Sequence, residues 1–480
     1  MSIKQQATKS VFWSAIERLS VQGIQFLLSI IIARLLLPTD YGLIAMLSIF
    51  MAIAQTFIDS GFANALIQKK DRTDADYSTV FYFNIVVSVV VYLLLYIVSP
   101  FIASFYDEQA LTSVTRIVGL ILIINSFGIV QQAKMTVVLD FKNLAIASLI
   151  AVIGSGTVGV WLAYSGYGVW ALVYQSLLNN LLRVAFVWIF SGWKPILCFS
   201  RDSFRVLFAF GSKLLLSSLL HTLYTNLYTL IIGKKFSSEE LGYYNRAFTL
   251  AQFPSTNLTS IIVRAVYPIQ CRIQDDDEQL KTLFLKYTRI SCYLIFPIMI
   301  GFCALAEPII RILLTDRWLP AVPMLQIMCI TYMWDPVMKI NNSMLNVKGR
   351  SDYFLYAEVW KKIVAFSILF ATMPSGVIVM CIGLFFYAFA DMGIIMYYCK
   401  KVTNITYGMQ FRAIYPIFLL SFTMGIGIYM LTFFNIPLYL QLVMGILCGI
   451  GYYIIVSYIF RFKELTILYD IVLKYIHRRK

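Results

Sequence analysis

Fourteen apolar runs lie between residues 11 and 460, each close to the roughly 20 residues that a helix needs to cross a bilayer. In hydrocarbon every backbone N–H and C=O must be satisfied within the segment or its partners, so such a series leaves helices as the main solution. The runs fall near 11–33, 42–61, 80–103, 111–133, 145–164, 167–190, 210–232, 247–267, 285–306, 320–345, 354–373, 376–398, 412–433 and 437–460. Hydrophobic residues make up 60% of the 480 and charged residues only 13%, more apolar surface than a soluble core of that size could bury. The expected fold is therefore an all-α polytopic membrane protein with about 14 transmembrane helices. The first run contains Glu17 and Arg18 and lacks a small-residue cleavage signature, so it reads as a retained helix and not as a removable leader. Eight cysteines are scattered, mostly inside apolar runs, with no CxxC and no clustered His; they read as small hydrophobes, and no metal or cofactor is expected.

The net charge of +15 reads as a topology signal. With the N-terminus inside, the cytoplasmic loops receive Lys4, Lys9, Lys69, Lys70, Arg72, Lys134, Lys142, Lys194, Arg201, Arg205, Arg272, Lys281, Lys286, Lys348, Arg350, Lys400, Lys401 and the basic tail, while the opposite face receives few cations, chiefly Arg34, Lys234, Lys235, Arg246, Arg311 and Arg317. Both termini are then cytoplasmic. The cations are spread over separate loops with no soluble domain to carry them, which excludes a nucleic-acid partner.

A repeat organises the chain. Ala33 to Gly42, ARLLLPTDYG, is echoed by Gly233 to Gly242, GKKFSSEELG, with Arg34 on Lys234, Asp40 on Glu240 and Gly42 on Gly242. Upstream, Ser14, Arg18, Gln22, Gln25 and Ser29 have the spacing of Lys213, Ser217, His221, Tyr224 and Tyr228. These matches suggest two pseudo-symmetric six-helix lobes, 1–195 and 196–405, followed by two extra helices and a basic tail in 406–480. An even number of helices separates the repeats, so both enter the membrane in the same sense, an arrangement that suits alternating access between lobes. No GxxxxGK[ST] loop is present, so the polypeptide itself should not consume ATP.

Each stripe keeps its polar residues on one helix face, which cannot look at lipid. A charge at mid-bilayer is penalised by roughly 2.5 to 3.5 kcal/mol on insertion scales, so Arg18 either pairs, with Glu17 or a neighbouring helix, or lines a wet cavity. Candidate substrate-binding residues are Arg18, Gln22, Gln25, Lys213, His221, Tyr224, Asn226 and Tyr228; candidate gating or coupling residues are Glu17, Arg34, Asp40 and Asp59. His221 reads as a satisfied core histidine or as a proton-coupling group. Asp275-Asp276-Asp277-Glu278 could resemble the metal-binding carboxylates of a transferase, but it stands in a short loop without a second acidic motif and reads as solvated. A glycan polymerase or ligase would need a large extracytoplasmic loop, which this topology does not offer; a carrier and not an enzyme is expected.

Taken together, ARLLLPTDYGLIAM, DSGFANALIQKKD, FYDEQALTSVTRIVGL, VVLDFKNLA, LAYSGYGVWALV, LIIGKKFSSEELGYYNRAFTLAQFP and VYPIQCRIQDDDEQL resemble the polysaccharide transporter family of Wzx-type flippases, in particular the colanic acid exporter-like members. That resemblance implies the multidrug/oligosaccharidyl-lipid/polysaccharide exporter fold. It also implies a flippase that moves undecaprenyl-diphosphate-linked oligosaccharides across the bacterial inner membrane for O-antigen, capsule or exopolysaccharide synthesis. It further implies membrane-lipid contacts, H+ or Na+ as a coupling ion, and polysaccharide polymerase machinery as a neighbour. Asp40 in TDYG and Asp59 in DSGF match acidic positions of the related peptidoglycan lipid flippases, whereas the charged pair of those proteins' first helix does not align cleanly with Glu17 and Arg18. A cation-coupled multidrug extruder of the same superfamily is the competing reading, and such a protein should carry carboxylates and aromatics in its cavity.

Overall fold

The computed structural model describes residues 20–59, 62, 66, 71–138, 140–434 and 436–467; the side chains of 206, 207, 209–214, 216, 217, 265 and 351 are outside the description. Glu17 and Arg18 therefore lie outside the described residues, as does the side chain of Lys213. All regular structure among the described residues is helical. The first helix, α1, is Ser20–Leu35. It is followed by α2 (Pro38–Asp59), α3 (Asp74–Tyr106), α4 (Ala110–Val137), α5 (Phe141–Tyr164), α6 (Val169–Ser191), α7 (Arg201–Thr225), α8 (Leu227–Lys235) and α9 (Ser238–Arg272). Then come α10 (Asp277–Ala304), α11 (Ala306–Leu313), α12 (Ala321–Tyr332), α13 (Asp335–Val347), α14 (Ser351–Thr372), α15 (Val377–Val402), α16 (Tyr407–Leu431) and α17 (Leu438–Ile459).

Among the described residues nine helices are long and apolar enough by themselves to cross a membrane: α2 to α6, α10 and α15 to α17. The run expected at 210–232 is divided at Asn226 into α7 and α8, and that at 320–345 is divided around Met333 and Trp334 into α12 and α13. The runs near 247–267 and 354–373 fall in α9 and α14, where charged side chains interrupt the apolar sequence. The outer faces are apolar: Val86, Val90, Leu93, Leu94, Ile97 and Phe101 of α3 stand exposed, as do Val443, Leu447, Ile450 and Ile454 of α17. Apolar surface on this scale needs lipid, and the chain is a multi-pass membrane protein.

Helix starts are written locally. Thr73 and Asp76 form a capping box on α3, with Thr73 N–H donating to Asp76 Oδ2 at 2.9 Å and Asp76 N–H donating to Thr73 Oγ1 at 3.2 Å. Asp276, in the acidic run, accepts from Gln279 N–H at 3.0 Å and caps α10, while Asp277 pairs with Lys348 at 2.7 Å. The DDDE run is thus a helix start with an ion pair.

The chain packs as two compact units, Met1–Gly242 and Tyr243–Lys480. In the first, α3 lies on α4, α5 on α6 and α4 on α6, while α2 runs against α3, α4, α7 and α8. One of its cores gathers Phe62, Leu66, Tyr77, Val80, Phe81, Val130 and Trp193. In the second, α10 lies along α16, α14 on α15, α16 on α17, and α12 and α13 against α10 and α15. Two buried polar pairs bridge its helices: Asn341 and Gln410 exchange amide hydrogen bonds at 2.9 and 3.2 Å, and Tyr293 donates to Ser457 at 2.7 Å.

Candidate functional site

In α1, Gln25 and Ser29 are four residues apart and share a face. That face looks toward α5 and α6, held there by an apolar cluster of Ile32, Leu36, Leu162, Ala163, Ala171 and Leu172. α6 brings a second polar stripe, Gln175, Ser176, Asn179 and Asn180, again at helical spacing. Between them lies a cavity of about 280 Å³, lined by Gln25, Ser29, Tyr41, Ser155 and this α6 stripe over a floor of Leu28, Ile32, Val152 and Leu172.

The lining is neutral. No Asp, Glu, Lys or Arg stands among the described residues that line it. Asn179 Nδ2 donates to Ser155 Oγ at 3.0 Å, Asn180 Nδ2 to the Ser176 carbonyl at 2.8 Å, and the Tyr41 hydroxyl to the Ser29 carbonyl at 3.2 Å. These bonds hold the amides in place and leave the amide oxygens and second N–H donors for a guest, since each Asn or Gln has more hydrogen-bonding capacity than one contact uses. An apolar floor with several oriented donors and acceptors can recognise a polyhydroxylated ring.

The other predicted residues fall elsewhere in the first unit. Gln22, three residues before Gln25, is half-buried and does not line this cavity. His221 is exposed on α7; Asn226 sits at the α7–α8 junction with its Nδ2 on the Thr222 carbonyl at 2.9 Å; Tyr224 and Tyr228 are half-buried on either side of it. None of the four lines the cavity that Gln25 lines. They stand where α7 is joined to α2 through Thr222 and Thr56, whose hydroxyls are 3.2 Å apart. Asp59 belongs to a network with Gln55, which donates to it at 2.9 Å, and Asn125, which donates to Gln55 at 3.2 Å; Arg183 of α6 lies within its electrostatic reach.

The repeat motif has a direct structural meaning. Asp40 Oδ2 accepts from Leu37 N–H at 2.9 Å, and Glu240 Oε2 accepts from Ser237 N–H at 3.4 Å, so both carboxylates close the first turn of a helix, α2 and α9 respectively. The glycines two positions on allow these two helix starts to touch. A Cβ on Gly42 would stand 1.7 Å from the Ser238 carbonyl oxygen, and one on Gly242 would stand 2.0 Å from that of Pro38. The contact is reciprocal: each glycine faces a backbone carbonyl at the start of the other helix. Arg34 is exposed at the end of α1 beside it.

The α6 amides and a buried lysine, Lys361 on α14, are the residues that sequence reasoning passed over. The first were visible as Gln175, Asn179 and Arg183 at four-residue spacing inside an apolar run.

The family model described as polysaccharide biosynthesis protein matches residues 31–323. Among characterised proteins, the teichuronic acid biosynthesis protein TuaB of Bacillus subtilis (strain 168) is 26% identical over 377 residues, 78% of each chain. The lipopolysaccharide biosynthesis protein WzxC of Escherichia coli (strain K12) is 26% identical over 367 residues, 75% of this chain and 74% of its own. Of solved structures, the lipid II flippase MurJ in an inward closed conformation superposes with a TM-score of 0.77 at 14% identity, over 94% of this chain and 98% of its own. An inward-facing multidrug resistance MATE family transporter of the MOP superfamily reaches 0.58 at 15% identity, over 81% and 98%. The fold is that of these membrane transporters.

Proposed function

The chain belongs to the polysaccharide biosynthesis protein family, and from that premise we propose that it flips lipid-linked oligosaccharide repeat units, carried on undecaprenyl diphosphate, across the bacterial inner membrane for the assembly of a surface polysaccharide. The proposal draws on relatives that serve polysaccharide synthesis and on a fold shared with a lipid II flippase. It is a carrier, not a catalyst.

The observation that carries the reading is the neutral, amide-rich cavity of α1, α5 and α6. A sugar head group crossing hydrocarbon unaided would leave many hydroxyls unsatisfied, and its diphosphate would be a bare charge. Amides and hydroxyls over an apolar floor answer the first need, with room for about one sugar ring at a time. Arg18 and Lys213 answer the second in this proposal, as cations toward the diphosphate. A cation extruder would want carboxylates where this cavity has Gln25, Gln175 and Asn179, so the drug-transport reading is the weaker one.

In the proposed cycle the lobes 1–195 and 196–405 alternate access, the helices of 406–480 flank them, and fourteen spans leave both termini in the cytoplasm. Gln22, His221, Tyr224, Asn226 and Tyr228 belong to the sugar path, while Asp59 and Arg34 take part in gating or coupling to an H+ or Na+ gradient. The polymerase that consumes the flipped unit is the natural partner. The test is genetic: deleting the gene should abolish one surface polysaccharide and leave its lipid-linked repeat unit facing the cytoplasm. Normal polymer in a strain without a second flippase would refute the proposal.

A further inference from the structure

The second unit contains an ion cluster that the sugar path does not use. Lys361 stands in the middle of α14, whose outer face is Leu355, Val359, Ile363 and Phe370, all exposed, and whose inner face is Ala357, Lys361, Ala365 and Leu369, all buried. The lysine side chain is 3% exposed. Its Nζ is 2.8 Å from Asp391 Oδ1 of α15, 3.3 Å from Glu358 Oε1 one turn earlier, and 3.5 Å from the amide oxygen of Asn342 on α13. The Asp391 contact is an ion contact and not an aligned hydrogen bond. Around this centre stand Lys362, 3.8 Å from Glu358, and the pair Asp335–Lys339 of α13 at 3.0 Å, with Asp335 within electrostatic reach of Asp391. Three carboxylates thus face three ammonium groups, and the most buried cation sits among oxygens from three helices.

Two carboxylates and an amide oxygen converging on one point form the donor set that a hard monovalent metal cation takes, oxygen only and partly anionic. Here a tethered ammonium occupies that point. A charge buried among helices is retained only when paired, and removal of one partner leaves the others uncompensated. We propose that Lys361 is a built-in counter-cation that takes the place of a bound alkali metal ion, so that this unit is held together without one, and that removal of its ammonium converts the cage into an alkali-cation site. As a statement about coupling this rests on the transport reading, because it implies that transport needs no Na+ gradient acting through this cage. As a statement about binding it is independent of what the chain carries.

The test uses the purified full-length protein in lipid nanodiscs with no substrate. Thermal unfolding is followed in choline, sodium and potassium chloride at equal ionic strength. The wild type and Lys361→Arg should give the same Tm in all three salts. Lys361→Ala and Lys361→Met, the latter replacing the lysine stem without its charge, should start lower and show a saturable rise of about 5 °C in sodium or potassium but not in choline. Adding Asp391→Asn should abolish that rise. The proposal is overturned if the wild type itself shows a saturable metal-cation response, if the two neutral variants behave alike in all three salts, or if neither accumulates in membranes of cells grown with abundant sodium.

Discussion

Adding one methyl group at Gly42 should break the contact between the two repeat motifs. The new Cβ would lie 1.7 Å from the Ser238 carbonyl oxygen and 2.5 Å from its carbon; at Gly242 the corresponding distances to Pro38 are 2.0 and 2.8 Å. Ordinary non-bonded separations are about 3.5 Å, so the starts of α2 and α9 must part by roughly 1.5 Å. The clash is backbone against backbone, and no rotamer change relieves it. Overpacking commonly costs 1–3 kcal/mol, and a rigid clash belongs at the upper end; about 3 kcal/mol disfavours the touching state by roughly a hundredfold. Ser238 is 8% exposed in that contact, so a cysteine placed there reports its opening. We expect Gly42→Ala and Gly242→Ala each to accelerate maleimide labelling of Ser238→Cys at least tenfold, read on the peptide by mass spectrometry, and to impair export. Gly23→Ala, where nothing lies within 4 Å of the added carbon, should leave the rate unchanged. Parental labelling rates in both contact variants would refute the reasoning.

Three further expectations concern single sites. Asn179→Leu should keep the protein in the membrane but lower transport about tenfold, because it removes an amide that faces the cavity and the donor to Ser155 Oγ; transport at the parental rate would remove the cavity from the path. Arg18→Gln should impair transport more than Arg18→Lys, and Glu17→Gln combined with Arg18→Gln should insert normally yet stay inactive; recovered export in the double variant would make Arg18 a packing residue. Arg289→Ala should destabilise by about 3 kcal/mol, because Glu464 is buried against that guanidinium, and Glu464→Gln in the same chain should restore part of the lost Tm; equal Tm in all forms would show that the pair contributes nothing.

The helical architecture was legible because a run of about 20 apolar residues has few alternatives in a bilayer, and among the described residues the apolar runs fall in helices, nine of which are long and apolar enough to cross a membrane. Breaks inside runs were harder to see. Asn226 divides one helix from the next by turning its side chain back onto the Thr222 carbonyl, a local competition that an apolar average cannot register. Spacing paired Asp40 with Glu240 and suggested gating for Asp40, but it could not tell that both carboxylates bond backbone N–H groups at helix starts or that the glycines set the approach. The α1 stripe pointed to Gln25 because helical spacing tells which residues share a face. What spacing does not tell is which helix completes the wall, so the α6 amides were passed over. Lys361 was missed for a related reason: in the sequence it is one of several charges in an interrupted run, and only packing against α13 and α15 distinguishes it from its neighbour Lys362.

The central claim is that this chain moves a lipid-linked sugar between leaflets. Purified protein in liposomes with undecaprenyl-diphosphate-linked repeat units loaded in both leaflets would test it, read by the fraction open to an impermeant glycan-modifying enzyme added outside. The account predicts that the accessible fraction rises from about half toward completion only when the protein is present, and that Asn179→Leu slows the rise. An accessible fraction that stays near half with well-folded protein, under both an imposed proton gradient and none, would contradict it.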